Sequence, residues 1–398
     1  MTHDGSAAPA AADGRRGSLD SWSATRRRYV DNLKVILIAI VIAGHAILGY
    51  SEFDWWSYAD VRETTLTPAV TVALIVVAAP FGLLVIPLLF LVAGLLTRPS
   101  VDRKGPGRFA ADRLLRLGVP FVVFALLLWP LLEYALLRWL ANAPELGEYL
   151  RAEGSLDTGV LWFVGALLVF SLTYAGWVAF RRRAGALRPR RRDIRFTDLL
   201  MLAGGIGITT FAVRLAVPFE TDNPLVDVNA WEWPACAGLF GLGVVASGER
   251  WLSTVPDALV RWSRTATLIA AGVAGAFAAS IFALDLAGDE LWGGWHWQAF
   301  CFALGESTLS VFGSVWLLGV AQRRLERPLR WIGPSARRSA YGAFMLQGPV
   351  LLGSAIALRE IPMPAEFKAI LVAAGGIVAS FALAWLLISR VPGVARVL

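Results

Sequence analysis

Cysteine, histidine and charged residues are all scarce in this sequence. Its 398 residues include two cysteines and three histidines, and charged residues make up 17% of the chain. Both cysteines, Cys236 and Cys301, lie in apolar stretches, so the sequence predicts no disulfide framework and no zinc site. It also lacks metal-ligand spacings and a nucleophile-bearing turn. We therefore expect neither a bound metal nor a bound cofactor.

A cleavable signal peptide and internal repeats are lacking as well. Residues 1–28 have no apolar core of the kind that signal peptides carry, and we predict a disordered cytoplasmic tail there. No period of 20–50 residues is visible, and nothing indicates a second soluble domain. The sequence thus predicts a single membrane domain over residues 29–391, followed by a short cytoplasmic tail over residues 392–398.

Long apolar blocks are what the sequence has in abundance. Hydrophobic residues make up 57% of it, in recurring runs of about 20 residues, the length with which a helix crosses a bilayer. The predicted fold class is all-α, a polytopic transmembrane helical bundle. The ten predicted spans are 33–50, 68–97, 117–138, 159–180, 197–217, 234–248, 265–287, 297–320, 339–358 and 367–390. Pro80 and Pro87 predict a kink or a re-entrant piece in the second span.

Basic residues alternate from loop to loop. Of the 37 lysines and arginines, 31 lie in the two termini and in the loops 98–116, 181–195, 250–264 and 323–338, whereas the intervening loops are acidic. Because basic loops stay in the cytoplasm, ten spans with both termini cytoplasmic fit this pattern. The formal charge of +7 is therefore a signal of orientation. It predicts the lipid bilayer of the cytoplasmic membrane as a partner, and no nucleic acid.

The first span, "KVILIAIVIAGHAILGY", carries a histidine and begins with a lysine. Lys34 and His45 are 11 residues apart, close to three helical turns, so both lie on one face about 16 Å apart, with Asp31 near the same line. An ionisable group inside a span is costly unless it faces a cavity or a partner, which favours a functional site. The alternative is a hydrogen bond from His45 to a neighbouring helix.

The other two histidines lie outside the predicted spans. His3 is in the tail and His296 is in an outer loop, so only His45 can act within the membrane, where its near-neutral pKa suits acid/base or acyl-accepting chemistry. Glu306, deep in the eighth span, is interpreted either as a partner of the His45 imidazole or as a structural hydrogen-bonding group between helices. Arg214, near the end of the fifth span, is predicted to lie at the membrane interface.

Four motifs resemble the acyltransferase-3 family of integral membrane acyltransferases. The stretch "RRYVDNLKVILIAIVIAGHA" is similar to the family's first span, in which a basic residue precedes an essential histidine by eleven positions, as Lys34 precedes His45. "PLLFLVAGLLTRPSVDRKGPGRFAADRLLRLGVPFVVF" at 87–124 resembles the second motif, with Arg113 and Arg116 in place and Ala93 where the family has serine.

The third and fourth motifs each lack a family histidine. "GVLWFVGALLVF" at 159–170 resembles the family's Leu-Trp-Phe motif, which includes Trp162, but Val160 stands where a histidine is usual. In "SAYGAFMLQGPVLL" at 339–352, Gln347 stands where a histidine is frequent. The resemblance covers roughly residues 27–390, and these two departures raise the question of altered or lost activity.

The resemblance implies an enzyme that transfers an acyl group, acetyl-like or succinyl-like, from cytoplasmic acyl-CoA as co-substrate. The implied acceptor is a hydroxyl of an extracytoplasmic glycan or glycoside, as in O-acetylation of cell-envelope polysaccharides. His45 would carry the acyl group or remove the acceptor proton, and the sequence leaves both routes open. Lys34, Arg113 and Arg116 would bind the phosphates of the donor, or would simply be the basic residues of a cytoplasmic loop.

Two rival functions remain at this stage. A proton-coupled transporter or flippase of an anionic or sugar-containing substrate would use His45 and Glu306 as a proton relay. A membrane partner without catalytic activity would tolerate the loss of His45. The sequence decides neither the acyl group, nor the acceptor, nor the oligomeric state.

Overall fold

The computed structural model describes residues 28–52, 58, 62–74, 79–140, 145–148, 156–185, 193–218, 226–227, 229–248, 251–283 and 289–397. The tail predicted over residues 1–28 lies, but for Arg28, outside these residues. The helices are α1 Arg28–Leu48, α2 Pro68–Ala73, α3 Ala79–Lys104, α4 Pro106–Arg113, α5 Val119–Val123, α6 Trp129–Leu140, α7 Trp162–Arg183, α8 Phe196–Arg214, α9 Trp233–Gly248, α10 Asp257–Ala283, α11 Trp297–Arg324, α12 Pro334–Leu358, α13 Ala365–Arg390 and α14 Val394–Val397.

Helices lie at all ten predicted spans, and the fold is the helical membrane bundle that the sequence predicts. Among the described residues, seven helical segments are long and apolar enough to cross a membrane, and they include the whole of α1 and of α11 to α13. The exact number of spans and the side of the termini stay predictions. We refer to the side where α1 begins as the predicted cytoplasmic side and to the side where α1 ends as the predicted outer side.

Extended structure among the described residues is confined to one short pair. The strands β1 Leu156–Asp157 and β2 Val226–Asp227 run parallel, with Leu156 opposite Val226. Short 3-10 turns, Gly159–Leu161 and Ala230–Glu232, follow the two strands and lead into α7 and α9. This pair joins two predicted outer loops, on the side where α7 and α9 begin.

Two of the prolines within helices leave a carbonyl without its usual donor, because proline has no backbone N–H. Pro87 lies inside α3, and the carbonyl four residues earlier, at Leu83, accepts a hydrogen bond from the Ser310 hydroxyl of α11 at 3.2 Å. The chain around Pro120 widens into π-helical turns, and the Arg116 carbonyl accepts from the Tyr341 hydroxyl of α12 at 2.9 Å. Neighbouring helices thus satisfy both carbonyls, as spanning segments require.

Glycines let the central helices approach closely. A Cβ atom built on Gly94 of α3 would lie 2.1 Å from the carbonyl oxygen of Phe240, and one built on Gly243 of α9 would lie 2.3 Å from that of Leu91. Backbone therefore packs on backbone between α3 and α9, as the small-residue interfaces of membrane helices allow. The glycine-rich stretch of α9 has this packing role.

Side chains also fasten the beginning of α1 to the loops around it. Asn32, which is fully buried, donates to the Leu325 carbonyl at 2.7 Å and accepts from Arg337 of α12 at 3.0 Å. Tyr29 donates its hydroxyl hydrogen to the Leu252 carbonyl at 2.7 Å. Helices α1 and α12 are therefore held together on the predicted cytoplasmic side, which fixes their relative position further along the bundle.

Candidate active site

His45 of α1 meets Gln347 of α12 inside the bundle. The His45 Nδ1 atom lies 3.0 Å from the Gln347 Oε1 atom, across 302 positions of sequence. Gln347 has no exposed surface, whereas His45 is partly exposed. His45 of the first motif and Gln347 of the fourth motif therefore form one hydrogen-bonded pair. The imidazole is the more exposed of the two side chains.

The packing of three helices sets the position of this pair. A Cβ atom built on Gly376 of α13 would lie 2.4 Å from Leu351 and 3.6 Å from Ile42. Ile42 precedes His45 by one turn of α1, and Leu351 follows Gln347 by one turn of α12. Gly376 thus lets α13 pack closely against both α1 and α12. His45 and Gln347 therefore lie on helices whose relative position is fixed by packing, and not on loops.

Trp129 supports α12 beside Gln347. Its ring is fully buried, and a Cβ atom built on Gly348 would lie 2.7 Å from it. The ring also covers Gly159, which has a φ of +49° and leaves only 2.9 Å for a Cβ atom. Composition and periodicity did not single out Trp129, because its role is to pack against two glycines that are distant in the sequence.

The Leu-Trp-Phe motif has a packing role at the start of α7. Leu161 is buried in the 3-10 turn, and Trp162, half-buried, lies edge-on to Phe163 with ring centroids 6.5 Å apart. The Phe163 ring in turn contacts Phe344 of α12 at 5.4 Å, one turn before Gln347. Val160, at the position of the usual family histidine, is buried and apolar.

A second polar network closes the predicted outer end of α1. The Tyr58 hydroxyl donates to Glu63 at 2.6 Å, and Lys368, nearly fully buried at the start of α13, binds both Glu63 and the Arg359 carbonyl. Burial would raise the pKa of Glu63, but the hydrogen bonds from Lys368 and Tyr58 hold it below its ordinary value. The ion pair ties the loop after α1 to α13.

Glu306 binds Arg214 and not His45, so of its two interpretations the structure supports a structural bond between helices. Its carboxylate accepts a hydrogen bond from Arg214 Nη2 at 2.7 Å, with 1% of the arginine side chain and 4% of the glutamate side chain exposed. The Arg214 side chain is buried inside the bundle, and its place at the level of the membrane interface stays a prediction. The end of α8 is covered by the loop around Gly293, where a Cβ atom would lie 2.8 Å from the Arg214 carbonyl oxygen.

Aromatic rings and a second glutamate complete this charged cluster. The Arg214 guanidinium lies 5.3 Å from the Phe302 ring centroid and 5.7 Å from that of Trp231, within range of cation–π attraction. Glu232, in the turn before α9, has a buried Oε2 atom without a hydrogen-bond partner among the described residues. Burial, with the nearby charge of Glu306, raises the pKa of Glu232 to about 8, against the opposing effect of Arg214.

Lys34 and Asp31 lie at the predicted cytoplasmic end of the helix that carries His45. Lys34 Nζ is 3.8 Å from Asp31 Oδ1, and the lysine side chain is 38% exposed. Both α1 residues are helical, so the axial separation of about 16 Å between Lys34 and His45 holds. An ion pair of this length contributes little to stability.

Arg113 and Arg116 do not form one bidentate fork. Arg116 Nε binds Asp112 Oδ1 at 3.2 Å, and the other oxygen of Asp112 binds Lys104 at 2.9 Å. The Arg113 guanidinium lies 5.0 Å from the Phe109 ring centroid, and its buried Nε atom has no hydrogen-bond partner among the described residues. Burial lowers the pKa of Arg113, against the opposing effect of the Asp112 carboxylate. Of the two, Arg113 has the hydrogen-bonding capacity left for a phosphate.

These positions limit the chemistry that the site can perform. Gln347 Oε1 can only accept a hydrogen bond, so Nδ1 of His45 carries the hydrogen and the lone pair is on Nε2. An imidazole in this tautomer can remove a proton or attack a carbonyl carbon. No group of three or more His, Cys, Asp or Glu side chains within the described ranges could hold a metal ion.

Comparison with known proteins agrees with the motifs. A family model described as an acyltransferase domain, that of the acyltransferase-3 family, matches residues 27–389. No curated protein and no solved structure matches the chain at a significant level. The family match spans α1 to α13 and therefore includes the His45–Gln347 pair, Lys34 and the basic segment around Arg113. The chain is a membrane protein and belongs to the acyltransferase-3 family, which makes it an acyltransferase.

Proposed function

We propose that this acyltransferase acts in the cytoplasmic membrane and moves an acyl group, acetyl-like or succinyl-like, from cytoplasmic acyl-CoA to a hydroxyl of an extracytoplasmic glycan or glycoside. The observation that carries the proposal is the His45–Gln347 hydrogen bond of 3.0 Å, because it orients the imidazole inside the bundle and makes Nε2 its basic nitrogen. Neither the donor nor the acceptor is given by the family alone.

His45 is the reacting group in this proposal. As a base, its Nε2 atom removes the proton of the acceptor hydroxyl, whose oxygen attacks the thioester carbon. The C–S bond then breaks, its electron pair leaves on the sulfur, and the CoA thiolate takes the proton from the imidazolium. Acyl group, proton and charge balance without a cofactor.

A covalent route uses the same nitrogen. Here Nε2 attacks the thioester carbon, CoA departs as the thiolate, and the acyl group stays on the imidazole until the acceptor hydroxyl displaces it. The hydroxyl proton is the one that the CoA thiolate finally takes. In both routes the Nδ1–H bond to Gln347 supports the positive charge that develops on the ring.

The donor site is proposed at the opposite end of α1. Lys34 and Arg113 offer positive charge on the predicted cytoplasmic side, and Arg113 has a buried nitrogen without a partner among the described residues. The diphosphate and the ribose phosphate of CoA are the anions that fit such groups. The long arm between these phosphates and the thioester would follow α1 towards His45.

A proton-coupled transporter is the alternative, and the Arg214–Glu306 pair weakens it. A relay from His45 to Glu306 needs these two groups within hydrogen-bonding reach, whereas Glu306 binds Arg214. His45 binds a glutamine, which has no proton to exchange at ordinary pH.

The deciding experiment combines purified protein with cells. The wild type, His45→Ala and His296→Ala are given acetyl-CoA or succinyl-CoA with an envelope glycan fraction, and free CoA is measured. In a deletion strain complemented with each form, mass spectrometry measures ester-linked acyl groups on glycans and glycosides. We expect release and esters with the wild type and with His296→Ala, and a loss of at least about a hundredfold with His45→Ala.

The choice of control makes a negative result informative. His296 is exposed at the start of α11, so its replacement tests the loss of a histidine away from the site. If His45→Ala retains CoA release and ester formation while it unfolds like the wild type, His45 is not the reacting group. If neither the wild type nor a variant changes any ester, the proposed donor or acceptor class is wrong.

A further inference from the structure

We propose that Gln347 is a positioning residue that holds the His45 imidazole in its reactive tautomer. This inference rests on the proposed function, because it assigns a role through the reacting histidine. It makes Gln347 a residue that serves catalysis without touching substrate, in place of a merely structural contact between α1 and α12.

The first argument is the direction of the hydrogen bond. A side-chain amide presents an oxygen that accepts and a nitrogen that donates, and the atom 3.0 Å from His45 Nδ1 is the oxygen. An acceptor at this place selects the Nδ1–H tautomer and directs the lone pair of Nε2 away from α12. If Gln347 were absent, the two tautomers would interconvert and the ring would lose one restraint on its rotation.

The second argument is that Gln347 is a poor choice for stability. The residue has no exposed surface, and its Nε2 atom has no hydrogen-bond partner among the described residues. A buried donor without an acceptor costs roughly 1–3 kcal/mol. An apolar side chain of the same length would avoid this cost but would leave the His45 Nδ1–H without its acceptor, so the bond to His45 is the only visible reason for an amide at this position.

The third argument is that the amide is held rigidly. The next residue, Gly348, lies against the Trp129 ring, and α12 is bound to Asn32 of α1 through Arg337. These contacts fix the backbone of α12 relative to α1, both near Gln347 and towards the predicted cytoplasmic side. The Gln347 amide can therefore control the angle of the His45 imidazole. This is the property that a residue supporting a catalytic group needs.

The test replaces Gln347 by methionine, which is similar in length and apolar, and by glutamate, which keeps an acceptor oxygen but adds a charge. For Gln347→Met we expect kcat to fall roughly ten- to a hundredfold with little change in KM, as when the supporting partner of a functional histidine is lost. We expect its unfolding temperature in detergent to stay close to that of the wild type, because the unpartnered Gln347 donor is gone while the His45 Nδ1–H loses its acceptor.

Gln347→Glu supplies a readout that packing alone would not move. A carboxylate beside Nδ1 stabilises the imidazolium, so the acidic limb of the pH–rate profile should move to higher pH by about one unit or more. At pH values above this limb, kcat should recover towards the wild-type value, since the acceptor oxygen is kept. Gln347→Met should show no such recovery at any pH.

Gln298→Met is the matched control. Gln298 is also buried, but its Nε2 atom donates to Glu290 at 2.6 Å, and it lies on α11 away from the pair. We expect a lower unfolding temperature for this variant and a pH–rate profile like that of the wild type.

The outcomes separate this inference from the proposed function. If His45→Ala abolishes transfer but Gln347→Met keeps the wild-type kcat, or Gln347→Glu keeps the wild-type pH–rate profile, the positioning role is refuted and the function stands. If Gln347→Met loses activity only because it unfolds at a lower temperature, Gln347 is structural and the inference is again refuted. If His45→Ala retains transfer, the proposed function itself has failed.

Discussion

The bundle contains two buried polar pairs that differ in charge and in access. His45 and Gln347, between α1 and α12, form a neutral pair with the imidazole partly exposed and a donor left unpartnered. Arg214 and Glu306, between α8 and α11, form a charged pair that is almost completely buried and flanked by two aromatic rings. The first pair is suited to chemistry because the imidazole is neutral and partly exposed, and the second is suited to joining helices.

The two pairs also differ in how much stability is lost when one partner is removed. Removing one partner from a buried ion pair leaves an uncompensated charge, which is far more costly than losing one hydrogen bond between neutral groups. We therefore expect the charged pair to dominate stability and the neutral pair to dominate activity. Substitutions in each pair, measured for both properties, test this division.

Arg214→Met should have the largest effect on stability. It leaves the carboxyl groups of Glu306 and Glu232 together without a cation, and we expect the free energy of unfolding in detergent to fall by about 3–5 kcal/mol near pH 8. The double variant Arg214→Met/Glu306→Leu removes the stranded charge and should recover most of this loss. Chemical unfolding of the two variants beside the wild type measures both effects.

The double variant decides how this result is interpreted. If it is as unstable as Arg214→Met alone, the arginine stabilises the bundle through its packing against Phe302 and Trp231, and the ion pair adds nothing. If Arg214→Met is as stable as the wild type, the contrast between the two pairs is wrong.

Glu232→Gln should have an intermediate effect that depends on pH. Because the pKa of Glu232 is raised from an ordinary 4.5 to about 8, the folded protein retains a proton between these values that the unfolded chain releases. This contribution to stability is therefore lost as the pH rises through that window. We expect Glu232→Gln to unfold near the wild-type temperature at about pH 5 and above it at about pH 9.

A scan of unfolding temperature against pH for both proteins measures this difference. Asp257→Asn is a suitable control, because Asp257 is exposed and pairs with Arg323 at the other end of the bundle. A constant difference between Glu232→Gln and the wild type at all pH values would mean that Glu232 does not titrate in this range.

Hydropathy predicted the positions of the helices, but it could not predict which helices are neighbours. The sequence singled out His45 and Gln347 by motif, yet their contact spans 302 positions and depends on how α12 packs against α1. For the same reason, the sequence could not decide between the two interpretations of Glu306. Its depth in the span predicted that it needs a partner, and the rule that buried charges are paired held, but the partner was Arg214.

Arg214 illustrates a second limit of sequence reasoning. An arginine near the end of a span usually reaches the membrane surface, so its position in the sequence favoured an interface role. The structure buries its side chain among Glu306, Phe302 and Trp231, and the loop around Gly293 packs against the end of α8. Hydropathy describes each helix separately and contains no information on loops that cover helix ends.

His45→Ala should have the smallest effect on stability of these variants, although it should have the largest effect on activity. The variant loses one neutral hydrogen bond, worth about 1 kcal/mol, and leaves the buried Gln347 amide with both ends unpartnered. His45 is partly exposed, so water can enter the space that the imidazole vacates and restore part of this loss. We expect a free energy of unfolding within about 1–2 kcal/mol of the wild-type value.

A much larger loss of stability would mean that His45 holds α1 against α12, and the loss of acyl transfer would then have to be separated from unfolding. A loss within that range, together with the large effect of Arg214→Met, would place stability and catalysis in different pairs of the same bundle.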